Sequence, residues 1–142
     1  MNSIFQEPEM DDVQKILQAH NLPTDDLSEV NLFHFFGCGE KPNPKGVIGL
    51  EVHGSDGLLR SLAVDSDAQG HGCGSSLYNQ LEKHAKSIGI KALYLLTETA
   101  EDFFERKGFE SIARELASDS IKQTREFNGL CPDNATLMRK SI

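Results

Sequence analysis

The segment Gln69-Gly70-His71-Gly72-Cys73-Gly74-Ser75 sets three glycines at alternate positions between an apolar stretch ending at Val64 and a helical pattern opening near Ser75. Glycine has no Cβ, so such a turn accepts positive φ angles and leaves its backbone N–H groups unobstructed. The first amides of a helix lack intrahelical acceptors and sit at the positive end of the helix dipole. A strand–turn–helix junction of this kind can therefore cradle a phosphate. Two common nucleotide motifs are excluded: the spacing is not G-x-G-x-x-G, and Ser75-Ser76 has no preceding lysine as a P-loop requires.

Apolar periodicity orders the rest of the chain. An extended start at Ser3 to Gln6 precedes Pro8, after which Met10, Val13, Ile16 and Leu17 mark one face of a helix reaching His20. Leu22-Pro23 ends it, and Thr24 to Glu29 is expected as a short second helix. Extended segments follow at Leu32 to Gly37, Val47 to His53 and Leu58 to Val64, separated by the loop Gly39 to Pro44 and the turn Gly54 to Gly57. These predict a meander of antiparallel strands.

The period then changes. Leu77, Leu81, Ala85 and Ile88 predict a helix stopped by Gly89, and Lys91 to Thr97 a buried strand. A strand–helix–strand order implies that this strand lies parallel to Leu58–Val64 through a right-handed crossover. Thr99 and Asp102 read as a capping box for a short helix through Phe103, Phe104 and Lys107 that Gly108 ends. A strand at Phe109 to Ala113, a helix at Asp119 to Thr124 and an edge strand at Ala135 to Arg139 complete the pattern.

A length of 142 residues suits a single domain, residues 1–142, and the 38% hydrophobic and 25% charged content is that of a globular chain. The net charge of -8, with scattered Lys and Arg, argues against nucleic acid as a partner. The apolar runs are too short to span a membrane and the N-terminus is acidic where a signal peptide is basic, so a soluble, cytoplasmic protein is expected. Cys38, Cys73 and Cys131 are too widely spaced for a disulfide framework, and with the dispersed histidines they give no metal-ligand spacing. No metal is expected.

The pattern Q-x-x-G-x-G, here Gln69, Gly72 and Gly74, resembles that of the GNAT acetyltransferases. Leu58-Leu59-Arg60-Ser61-Leu62-Ala63-Val64-Asp65 is similar to the family's central strand, and Phe103-Phe104-Glu105-Arg106-Lys107-Gly108-Phe109 to its late helix and following strand. The resemblance covers residues 45 to 113 best. It implies an α/β (α+β) GNAT fold: a central mixed, mostly antiparallel twisted sheet of six to seven strands flanked by about four helices. It also implies acetyl-CoA as co-substrate. The pantetheine arm would pair with Leu62, Ala63 and Val64, and the pyrophosphate would meet the amides of Gln69, Gly70, His71, Gly72, Cys73, Gly74 and Ser75. Phe104 would lie against the cofactor, and the strand at Lys91 would splay away to admit it. The tail Thr124-Arg125-Glu126-Phe127-Asn128-Gly129-Leu130-Cys131-Pro132 resembles the branch named for arsenic-resistance N-acetyltransferases.

Acyl transfer to an amine requires a neutral amine, a donor for the developing oxyanion and a proton for the departing thiolate. Glu51, near a strand end, is the candidate base, against the plainer reading of a solvated acid. Backbone amides near Leu62 and Ala63 are the candidate oxyanion donors. Many family members carry a tyrosine acid where this chain has Phe104, which cannot donate a proton. Either the thiolate leaves unassisted or Tyr78 or Tyr94 takes the role. Arg60 and Arg125 offer guanidinium groups to an acidic acceptor, against the alternatives of a solvent-facing residue and an ion pair with Glu126. Thr97 and Cys131 are placed in the same pocket. The expected acceptor is a small-molecule amine, with an amino acid or an arsenical amino-acid analogue as the class implied by the resemblance. A degenerate acyl-CoA-binding sensor and an arsenical-responsive protein using its cysteines are the competing readings. The sequence leaves a monomer and a homodimer both open.

Overall fold

A computed structural model describes residues 3–130 and 134–142. Its centre is the hairpin of β3 (Gly46–His53) and β4 (Asp56–Val64). The hairpin closes on the pair His53↔Asp56, so the loop is only Gly54-Ser55, with Gly54 at φ 65°. A two-residue loop of this kind favours glycine because its backbone must turn left-handed. The strand expected from Leu58 therefore begins two residues earlier.

Around this hairpin β1 (Ile4–Gln6) and β2 (Phe35–Cys38) extend one side in antiparallel register, Phe36 facing Ile48. On the other side β5 (Ala92–Thr97) joins parallel to β4. Next come β7 (Thr136–Ser141) and β6 (Glu110–Ser111), both in antiparallel pairings. The sheet thus has seven strands in the order β1-β2-β3-β4-β5-β7-β6 and is mostly antiparallel, matching the expected architecture.

The helices clothe both faces. α1 (Met10–Ala19) buries Val13, Ile16 and Leu17 with Val47 and Ala63 on one face. Full burial of such side chains is worth roughly 1.5–3 kcal/mol each. α2 (Cys73–Ser87) covers the opposite face, where Leu77, Tyr78, Leu81 and Ala85 pack with Ile48, Leu50, Leu93 and Phe104. α3 (Glu101–Arg106) and α4 (Asp119–Lys122) are short. Among the described residues no helix is long and apolar enough to cross a membrane.

Several boundaries differ from expectation for identifiable reasons. Leu32–His34 is a 3-10 turn rather than the start of a strand, because the Asn31 side chain accepts the Phe33 N–H (3.1 Å) and competes with strand pairing. Only Leu27–Glu29 of the expected second helix is helical, as 3-10. The capping box at Thr99 and Asp102 does not form. Instead Thr97 Oγ1 accepts the Ala100 N–H at 3.0 Å, and α3 has no side-chain cap of its own. The C-terminal strand is not an edge: β7 pairs with β5 from Ala92↔Ser141 to Thr97↔Thr136 and carries β6 outside it. Apolar alternation reveals a strand but not its rank in the sheet.

Candidate functional site

Between Arg60 and Ala63, β4 takes three steps while β3 takes two from Val47 to Gly49, which makes a β-bulge. Ser61 lies inside it at φ 60°, a left-handed conformation that a non-glycine residue adopts only under local constraint. Bulges bend and twist the strand that carries them. Here the consequence is visible on the other edge: β4 pairs with β5 only at Asp56, Gly57 and Leu58, and from Leu59 onward the two strands part.

The parted strands enclose a cavity of about 450 Å³. Leu59 to Leu62 of β4 form one wall, and Leu95 to Ala100, running from β5 into α3, the other. His20 to Pro23 after α1, Phe104, Glu126 and Ala135 complete the lining. His20 fixes the α1 loop to β4 by donating from Nε2 to the Val64 carbonyl (2.8 Å), which also accepts from Gln69 Nε2 (3.0 Å).

At the C-terminal end of β4 the glycine-rich turn delivers the chain into α2. Gly70 and Gly72 both stand at φ 83°, and Gly72 is the N-cap residue. That cap carries no side-chain hydrogen bond and the first turn of α2 contains no acid, whereas α1 and α3 open with Asp11, Asp12 and Glu101, Asp102. Its leading N–H groups thus have no acid in their own turn, and the positive end of the dipole suits an anion. A Cβ on Gly70 would meet nothing within 4 Å, and one on Gly74 only the Phe103 ring at 3.6 Å. Neighbouring side chains therefore leave these positions open.

Cys73 contributes to this turn through its backbone alone. Its thiol points into the core beside Gly46 and Leu77, and burial, then the neighbouring Cys38 thiol, push its pKa up to about 12. Cys38 and Cys73 are both buried and outside any disulfide. A thiol so hard to ionise is a poor nucleophile and a poor soft-metal ligand. Cys131 lies outside the described residues.

Arg60 is neither solvent-facing nor an open guanidinium. Its side chain is 1% exposed and meets three carboxylates. Asp26 takes both terminal nitrogens, its Oδ2 accepting from Nη1 and its Oδ1 from Nη2 at 2.7 Å; Glu51 Oε2 also accepts from Nη1 at 2.7 Å; and Glu126 Oε1 lies 3.5 Å from Nε. Nε also donates to Ser61 Oγ at 3.0 Å. Burial opposes the Arg60 charge, but the hydrogen bond to Asp26, the charges of Glu126 and Asp26 and the bond to Glu51 outweigh it and hold its pKa above the ordinary value. One guanidinium thus faces three carboxylates.

The candidate residues thus separate. Leu62, Thr97, Phe104 and Arg60 line the cavity. Ala63 faces the α1 core. Glu51 reaches the cavity only through Arg60 and also bonds His53 Nε2 at 3.0 Å. Arg125 lies half-exposed, pairs with Glu29 rather than Glu126, and does not line the cavity. Tyr78 and Tyr94 also lie off the cavity lining: Tyr78 donates to Glu82 (2.6 Å) in the core, and Tyr94 accepts from Arg139 (3.2 Å). Burial, then Glu82, raise the Tyr78 pKa far above its usual value. The sequence reading missed Asp26 and the place of Glu126. Glu126 opens a single π-helical turn, Glu126–Leu130, that brings it to Arg60. Its sequence signal was slight, a lone acid between an arginine and a phenylalanine.

Residues 2–109 match the model described as the Acetyltransferase (GNAT) family. An amino-acid acetyltransferase of Mycobacterium tuberculosis (strain ATCC 25618 / H37Rv) is 37% identical over 103 residues, covering 69% of this chain and 56% of its own length. One from Ralstonia nicotianae (strain ATCC BAA-1114 / GMI1000) is 35% identical over 75 residues, 52% of this chain and 15% of its own. The chain therefore spans only part of the relatives it matches. N-acetylglutamate synthase from Neisseria gonorrhoeae, solved with coenzyme A and N-acetyl-glutamate, shares the fold. It has a TM-score of 0.82 at 20% identity, over 99% of this chain and 35% of the synthase.

Proposed function

The chain belongs to the acetyltransferase (GNAT) family, whose members draw their acyl group from acetyl-CoA, and from that premise we propose that it transfers an acetyl group from acetyl-CoA to the primary amine of a small molecule. The observation that carries the reading is the parting of β4 and β5 beyond Leu58, which leaves a cavity between them, with the glycine-rich turn and the uncapped start of α2 following β4 in the chain. In this reading the amides from Gln69 to Ser75 bind the pyrophosphate, and β4 at Leu62 to Val64, beyond its last pair with β5, pairs with the pantetheine. Amides at the bulge, near Leu62 and Ala63, stabilise the oxyanion as the amine adds.

The new C–N bond forms as the C–S bond breaks, and the amine gives up a proton. Candidates to receive it, directly or through water, are Glu126 and Glu98 on the cavity wall and Glu51 behind the Arg60 contact. With both tyrosines outside the cavity lining, the CoA thiolate leaves unassisted and takes its proton from solvent; thiols ionise near pH 8.5 and are fair leaving groups. Amino acids are the acceptor class to test first, given the relatives named amino-acid acetyltransferases. The arsenical analogues suggested by the tail belong to the same trial. Cys38 and Cys73, outside any disulfide, suit a reducing, cytoplasmic compartment.

The test is CoA release from acetyl-CoA with and without added amines, alongside thermal melting with acetyl-CoA. Ligand at a hundred times its Kd should add about 2.7 kcal/mol. Amine-dependent release supports the transferase. Saturable binding without release from any amine supports the acyl-CoA sensor instead, and no melting shift at millimolar acetyl-CoA overturns both.

A further inference from the structure

We propose that the acceptor end of the cavity is an anionic cup that selects neutral and cationic amines over acidic ones, with Glu126 as the carboxylate that meets the incoming ammonium. This rests on reading the cavity as the acceptor site. A guanidinium lining an acceptor pocket would ordinarily signal a carboxylate ligand, but every nitrogen of Arg60 is already engaged within the protein. Its side chain is 1% exposed, so an acceptor carboxylate approaching it would have to come in among Asp26, Glu51 and Glu126. Like charges confined together at reduced dielectric repel strongly.

Three carboxylates surround the one guanidinium, and Glu98 adds another acid to the cavity wall. Glu126 is 6% exposed and lines the cavity, so an ammonium entering between β4 and β5 finds a desolvated carboxylate already oriented by Arg60. Arg60 is thereby a positioning residue: it fixes the acids and does not itself hold the acceptor.

The inference is tested with L-glutamate, L-glutamine and L-arginine, which present one α-amine each and side chains of charge -1, 0 and +1. Both kcat/KM with acetyl-CoA and calorimetric binding to the CoA-loaded protein are measured. L-Glutamine and L-arginine should exceed L-glutamate by about tenfold or more in both readouts. Glu126→Gln should narrow that ratio while acetyl-CoA still raises the melting temperature. Glu98→Gln, on the exposed part of the wall, should narrow it less. L-Glutamate bound or used as well as L-glutamine overturns the charge rule and leaves the transferase standing. The expected order in binding without turnover upholds the charge rule and overturns the transferase. No binding by any of the three overturns the charge rule together with the amino-acid acceptor class.

Discussion

Arg60 Nε lies 3.5 Å from Glu126 Oε1, a contact that ties the central strand to the π-helical turn of the C-terminal segment. Through the same guanidinium, Asp26 and Glu51 join the cluster, so one buried cation holds three segments of chain together. Removing one partner of a buried ionic pair leaves uncompensated charge and typically costs 3–5 kcal/mol. Arg60→Ala should therefore lower stability by about that amount in urea denaturation, more than Asp26→Asn, which leaves Arg60 two carboxylates. Arg60→Lys should fall between, since it keeps the charge and loses the fork. An Arg60→Ala protein as stable as wild type would show the cluster to be energetically idle.

Gly74 separates fold from ligand. It stands at the second position of α2, and an added Cβ would make only ordinary contact with Phe103 at 3.6 Å. Alanine is the better helix former by up to about 1 kcal/mol, so Gly74→Ala should melt slightly higher than wild type. The same methyl would stand where a phosphate approaches the backbone, and acetyl-CoA affinity should fall by about tenfold or more. A stabilised protein with unchanged affinity would move the pyrophosphate away from this turn.

What the sequence disclosed, and what it hid, follow one physical division. Local rules found the glycine turn, the α1 and α2 faces and the β3–β4 hairpin, because each is written in contiguous residues. The mixed sheet and its parallel β4–β5 pair followed from element order. The bulge at Ser61 was invisible, since nothing in Arg60-Ser61-Leu62 distinguishes a left-handed serine from an extended one. The company Arg60 keeps was hidden as well, because Asp26 and Glu126 come from distant segments that the fold alone brings together.

Phe104 at the position where a tyrosine acid was expected poses a question that Tyr78 and Tyr94 can be asked directly. Tyr78 is tied to Glu82 and approached by Lys140 at 3.3 Å, and Tyr94 stacks under Arg139 with 5.6 Å from ring centre to guanidinium. Neither lines the cavity. Tyr78→Phe and Tyr94→Phe should leave kcat and the basic limb of its pH profile unchanged. Tyr78→Phe should cost about 1 kcal/mol of stability for its lost hydrogen bond. A drop in kcat of a hundredfold or more in either variant, with cofactor binding intact, would name that tyrosine the acid.

His34 Nδ1 and His84 Nε2 face each other at 2.9 Å beside Phe33 and Phe36, on the side of the sheet covered by α2. Burial lowers the pKa of both from the ordinary 6.5, and for His84 the nearby His34 charge lowers it further. As pH falls below 6.5 the unfolded chain takes up these protons before the folded chain does. The pair's contribution is therefore fully present above pH 6.5 and is lost as pH falls through the folded values. The melting temperature should decline between pH 7 and 5.5, and His84→Gln, which removes one of the two titrating rings, should flatten that decline over the same interval. An identical slope in wild type and variant would assign the acid sensitivity to other groups.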